Sequence, residues 1–160
     1  MKKSVISCLL FFVLLFTFGC KKDDPITAKP GLSVKIDGTT WTGQVNTGIY
    51  DAQQNLTLIS GANSTLTEQL QLVFIGNSTG TYNFTANDMV SFGAFAYMNT
   101  VDIYTTIAAT TPVGQIVVTE YDKTNHTLSG TFHFEAYNFE DQKKVFTEGV
   151  FTKVTYQEEQ

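Results

Sequence analysis

The chain has 160 residues, 42% hydrophobic and 16% charged, with 10 basic residues against 15 acids and a formal net charge of −5. All ten basic residues are lysines. An acidic chain without arginine lacks the basic footprint of a nucleic-acid binder and the guanidinium fork that clamps phosphate or carboxylate.

Lys2 and Lys3 give a positive start, and Val5 to Phe18 is apolar except for Ser7 and Thr17. This run of about 14 residues falls short of the about 20 needed to span a bilayer and has the size of a signal-peptide core. It closes on Thr17-Phe18-Gly19-Cys20. A small residue before cysteine at this place resembles the bacterial lipobox, although Phe18 stands where a small residue is usual. The resemblance implies that residues 1–19 are cut away and that the Cys20 thiol carries a diacylglycerol, with the new N-terminus acylated. Two or three acyl chains anchor stably, whereas one anchors marginally. An ordinary secretory signal with an incidental Cys20 is the alternative.

Lys21-Lys22-Asp23-Asp24 follows at once. Cys-x-Lys-Asp-Asp resembles the export signal that sends Bacteroidota lipoproteins to the outer face of the outer membrane. Lys22, Asp23 and Asp24 are then the export residues and the cell surface is the expected location. A solvated charged tether at the periplasmic face is the alternative. The 141 residues from Cys20 onward carry eight lysines and fifteen acids, a formal −7, enough chain for one domain with a real core. Cys8 leaves with the signal and Cys20 is acylated, so the expected domain has no disulfide, thiol nucleophile or cysteine-bound zinc.

Residues 20–31 read as lipidated cysteine and tether, with Pro25 and Pro30 keeping the segment extended. From 32 to 157 the chain reads as a single all-β domain. Short runs rich in Thr, Val, Ile, Phe and Tyr alternate with Gly, Asn and Asp, and no amphipathic helix of useful length appears. Leu32 to Ile36 is the first expected strand, and Asp37-Gly38 is a hairpin turn signal. Thr40 to Val45 returns, and Gly48 to Tyr50 continues the sheet. Leu56 to Ser60 follows. Glu68 to Ile75 sets Leu70, Leu72 and Phe74 on one face and Gln69 and Gln71 on the other. Thr81 to Thr85 is next. Val90 to Met98, apolar on both faces, is either a central strand or the wall of an open pocket. Asp102 to Ala108 and Gln115 to Tyr121 flank a break at Thr110 to Val113. Leu128 to Tyr137 places Leu128, Gly130, Phe132, Phe134 and Ala136 on one face, and Lys144 to Tyr156 runs back after a turn at Phe139 to Gln142. About ten short strands suit an antiparallel β-sandwich or a flattened β-barrel. Gly80-Thr81-Tyr82-Asn83-Phe84 echoes Gly130-Thr131-Phe132-His133-Phe134. The echo marks either two equivalent hairpins or the ease with which Gly-Thr-aromatic starts a strand.

Val34-Lys35-Ile36-Asp37-Gly38-x-x-Trp41, Ser129-Gly130-Thr131-Phe132-x-Phe134 and Thr147-x-Gly149-x-Phe151 together resemble motifs of small Bacteroidota lipoproteins of unknown function. The resemblance implies an envelope lipoprotein with an all-β domain and carries over no catalytic residue.

Chemistry-bearing patterns are sparse. His126 and His133 are the only histidines, and no His-Glu-x-x-His, phosphate loop or Gly-x-Ser-x-Gly is present. Asp102, Glu120, Glu135 and Glu148 lie in or near strands. Asp51, Asp88 and Asp122 lie in loops without Asp-x-Asp-x-Asp spacing. No catalytic residue, metal site or cofactor is expected. Trp41, Tyr97 and Tyr137 are candidate ligand-binding rings, with Tyr50 and Tyr82 as further sugar-stacking surfaces. The expected function is a non-enzymatic binding or accessory module of the envelope. Surface glycan capture is the alternative, so the expected partners are the membrane, and a glycan or another envelope protein.

Overall fold

The computed structural model describes residues 31–110 and 113–159. The expected signal, Cys20, Lys22, Asp23 and Asp24 lie outside the described residues. The described chain is all-β, as expected. In order it forms β1 (Gly31–Ile36), β2 (Thr39–Gly43), β3 (Val45–Asp51), β4 (Leu56–Ala62), β5 (Glu68–Ile75) and β6 (Gly80–Phe84). There follow β7 (Phe92–Tyr97), β8 (Asp102–Thr105), β9 (Gly114–Asp122), β10 (Thr127–Tyr137) and β11 (Lys143–Glu159). One sheet holds them in the order β2-β1-β11-β3-β4-β5-β7-β8-β10-β9-β6, and β10 also pairs with β11. That last pairing closes a circuit through seven of the strands, so of the two expected architectures the connectivity describes the barrel. The circuit is thinnest between β8 and β10, which share the single pair Thr105–Tyr137.

The sheet departs from the expected antiparallel arrangement at one place. β3 lies parallel to β11, with Gly48 opposite Tyr156 and Asp51 opposite Glu159. The reason is local. β1 begins opposite Thr152, so the edge of β11 beyond that point is vacant. β2 runs in the same direction as β11, and after a bend at Gln44 the chain steps into the vacancy as β3. Gly48 permits the step, because a Cβ there would stand 2.8 Å from the Tyr156 Cβ.

The Asp37-Gly38 turn forms as its sequence requires, with φ of 49° and 83°, the left-handed pair of a type I′ hairpin. In β5 and β10 the expected faces are the observed ones. Leu70, Leu72 and Phe74 are buried, as are Leu128, Phe132, Phe134 and Ala136. β11 is less regular. Glu148 and Lys153 adopt φ of 53° and 47°, and the ladder with β10 slips beside each of them. These are β-bulges, which insert one residue and bend the strand. They keep Phe146, Gly149, Phe151, Val154 and Tyr156 facing inward despite their uneven spacing. β8 stops at Thr105, short of the expected Ala108. Thr105 Oγ1 accepts the Ile107 N–H at 3.2 Å and starts a 3-10 turn, Thr106–Ala108. The buried Thr106 hydroxyl accepts the Gly93 N–H, which holds that turn against β7.

Aromatic rings fill the interior. Phe134 stacks on Phe146 at 4.2 Å and meets Phe84 edge-on at 5.9 Å. Phe95 joins Phe146 to Trp41. The echo between the two Gly-Thr-aromatic stretches has a structural meaning. β6 and β10 flank β9 on opposite sides in the same register. Gly80 and Gly130 both face Val118, Tyr82 and Phe132 both face Ile116, and Phe84 and Phe134 both face Gly114. Gly114 has no side chain, so the two phenylalanine rings meet across it.

Candidate functional site at the loop end

Three loops gather where β5 begins, β7 turns into β8, and β10 turns into β11. The Met98 N–H bonds to the Thr67 carbonyl at 2.7 Å, which ties loop 63–67 to loop 98–101. Asn138, almost fully buried, ties loop 98–101 to loop 138–142. Its Nδ2 donates to Asp102 Oδ1 at 3.2 Å and to Gln142 Oε1 at 3.1 Å. Its Oδ1 accepts the N–H groups of Glu140 at 3.0 Å and Gln142 at 2.9 Å. One side chain thus satisfies the turn's backbone and fixes its geometry.

Inside this end, Lys144 reaches over the rings of Tyr97 and Tyr104, 5.4 and 5.0 Å from their centroids, and lies 3.5 Å from Asp37 Oδ2. Burial works against the Lys144 charge. The Tyr97 phenol, Asp37 and Tyr104 outweigh it and hold the ammonium above the ordinary lysine range. Burial first, then the Asp102 carboxylate, pushes the Tyr104 phenol up. The Tyr104 hydroxyl donates to Gln142 Oε1 at 3.2 Å, which links this cluster to the clamped loop.

Outside, the same loops expose apolar side chains. Phe139 is 94% exposed, Val101 78% and Leu66 61%, with Met98 and Ile103 beside them. A cleft of about 280 Å³ opens between the loops, walled by Val101, Ile103 and Phe139 and carrying Asp102 and Glu140. A groove of about 240 Å³ adjoins it on the outer face of β5 and β7, lined by Gln69, Gln71, Ala94, Ala96, Met98 and Ile103.

The candidate rings from the sequence are not brought to one surface. Trp41 is only 8% exposed, edge-on to Phe95, and its Nε1 donates to Glu68 Oε2 at 2.8 Å. It is a core ring whose face is not open to a sugar. Tyr97 stands on the inner face, edge-on to Phe95 and Tyr104 and under Lys144. Tyr137 stands on the outer face of β10 beside a cleft of about 240 Å³, its hydroxyl donating to Glu135 Oε2. Burial first, then Glu135, pushes its phenol up. Tyr50 is also buried, donating to Asn55 Oδ1 at 3.1 Å. Tyr82 packs on Phe74. His126 packs on Tyr156, while His133 is exposed on β10. The loop acids Asp51, Asp88 and Asp122 cap their own turns. Each Oδ1 accepts two N–H groups, those of Gln53 and Gln54, Val90 and Ser91, and Thr124 and Asn125. Among the described residues no three His, Cys, Asp or Glu side chains converge as a bound metal ion requires. Phe139, Val101, Asn138 and Lys144 went unmarked in the sequence. The one available signal was a large apolar residue, Phe139, alone in the polar turn Asn138 to Gln142.

The chain belongs to the family described as domain of unknown function DUF6252, whose model matches residues 28–155. That span takes in every strand from β1 to β10 and most of β11. Neither the curated proteins nor the solved structures give a match to the chain.

Proposed function

We propose that the protein is a lipid-anchored module of the cell envelope that binds or assists a partner without catalysis. It is held through Cys20, carried to the cell surface by Lys22, Asp23 and Asp24, and engages its partner through loops 63–67, 98–101 and 138–142. The observation that supports the binding end is Phe139, an almost fully exposed ring on a loop that buried Asn138 holds rigid. A large apolar side chain held out to water on a fixed loop is the form of an interface anchor. Glycan capture has less support, because Trp41, the strongest stacking ring, is buried.

Two measurements test this. Palmitate labelling should mark the chain and vanish in Cys20→Ala, and proteinase K should degrade the domain on intact cells while a periplasmic control survives. Labelling that persists without Cys20, or a domain digested only after the outer membrane is broken, removes the anchor or the surface assignment respectively. A photo-crosslinking residue at position 139 should give adducts in living cells, and one at Gln53, at the far end, should give few. Equal adducts from both positions would remove the binding end.

A further inference from the structure

We infer that the cleft between loops 98–101 and 138–142 receives a lysine or arginine side chain carried on an apolar segment of a protein partner. This deepens the reading above and rests on this end being the binding end. The cleft of about 280 Å³ sets two carboxylates, Asp102 and Glu140, among the apolar walls Val101, Ile103 and Phe139. A long basic side chain has the complementary form. Its methylene stem lies along apolar surface while its charge meets the acids. The exposed Phe139 ring adds a cation–π face. Asp141 adds a third acid to the same loop, and the two lysines that follow it, Lys143 and Lys144, are paired with Glu135 and Asp37.

The site is built before any partner arrives. Asn138 fixes the Asp102 carboxylate and the loop that carries Phe139 and Glu140. On the opposite wall Val101 has φ of 56°. That left-handed conformation is a real outlier for a β-branched residue. Its side chain is 78% exposed, so burial within the chain does not offset the strain. An anionic lipid surface is a poor occupant, since the acidic tip and the lipid head groups would repel.

The test uses the full chain, purified with its anchor in detergent micelles. The probe is the peptide acetyl-Gly-Leu-Lys-Leu-Gly-amide, joined by a water-soluble carbodiimide, which links a carboxylate to an amine in contact with it. Peptide mapping should find the adduct on Asp102 or Glu140 in preference to the exposed Glu158 at the far end. Phe139→Ala should lower the yield about fivefold, and the altered ring is exposed, so the fold is kept. Adducts spread over the acids by exposure alone, or a yield indifferent to Phe139→Ala, overturn the inference. If position 139 still crosslinks in cells in that case, the end binds, but not through a basic side chain. If it does not, both readings fail. Flotation of a Cys20→Ala chain on phosphatidylcholine vesicles, lost in Phe139→Ala, would assign the tip to lipid and also overturn it.

Discussion

Phe132 and Gly149 face each other across β10 and β11, and their contact allows a sharp test of the core. Phe132 is 3% exposed, and its ring lies flat over Gly149, where an added Cβ would stand 2.6 Å from three ring carbons. Phe132→Ala removes a buried ring and leaves a cavity, which should cost about 3 to 4 kcal/mol. Gly149→Ala alone drives a methyl into the ring and should cost about 1 to 3 kcal/mol. In the Phe132→Ala background the same methyl enters vacated space. It should then cost nothing, or stabilise by up to about 1 kcal/mol through the lost freedom of the unfolded chain. The cycle therefore has a coupling of about 1 to 4 kcal/mol. Urea unfolding followed by fluorescence measures it directly, since Trp41 is the chain's single tryptophan and is buried. An unchanged m-value is needed for the comparison to hold. A loss under about 1 kcal/mol in Phe132→Ala, or additive single substitutions, would refute the packing described.

Contacts elsewhere in the fold can be tested in the same way. Asn138→Ala orphans the N–H groups of Glu140 and Gln142 and should cost about 2 kcal/mol. Hydrogen exchange should quicken at those two amides while β5 is unaffected. Burial above all holds the Tyr121 phenol up at about 12. The folded state thus keeps a proton that the unfolded chain releases near its ordinary value of about 10. Stability from this group is intact below pH about 10 and falls as pH rises toward about 12, and Tyr121→Phe should flatten that fall in alkaline denaturation curves. Lys144→Met keeps an apolar stem but removes the charge over Tyr97 and Tyr104, and should cost about 1 kcal/mol at neutral pH. Because the Lys144 pKa is raised on folding, that contribution should persist at neutral pH and fade as pH rises through the folded value, measured as a narrowing gap between the two denaturation midpoints.

What was legible in the sequence is what depends on near neighbours. Alternation in β5 and β10 announced their buried faces, and Asp37-Gly38 announced its turn. Even the echo at Gly80 and Gly130 carried information, because two strands meeting the same β9 residues need the same small-then-aromatic order. What was hidden depends on pairing between distant segments. The bulges in β11 sit at Glu148 and Lys153, where a glycine or asparagine would have been the usual sign. Each is an exposed charge, joined to Lys35 and Glu120 respectively. The parallel pairing of β3 depends on where β1 begins, which no local pattern reveals. Trp41 is a candidate platform by residue type alone, which carries no information about the direction of its ring. The β1–β2 pairing turns it inward beside Val34.

The same packing favours the loops over the interior as the place of the proposed binding. A closed β-circuit offers an interior, and small barrels either fill it with side chains or hold one small ligand there. Here Phe84, Phe95, Phe134, Phe146 and Phe151 are all fully buried, and the first four meet ring against ring. The glycines beneath them leave little slack, since a Cβ at Gly93 would stand 2.9 Å from the Phe134 ring and one at Gly130 would stand 2.5 Å from Phe151. Admitting a ligand between stacked rings at 4.2 Å would mean undoing the contacts that hold the barrel together. The proposed binding then falls to surfaces that the core supports but does not need. The loop end meets that condition. Lys144, Tyr104, Gln142 and Asn138 carry the order of the core outward by hydrogen bonds and ring contacts. Phe139, at the end of that series, contributes little to folding and is free to serve recognition. Phe139→Ala should therefore leave the unfolding free energy within about 0.5 kcal/mol of the unaltered chain while lowering the carbodiimide yield at the tip about fivefold. A large loss of stability would mean that the ring belongs to the fold after all.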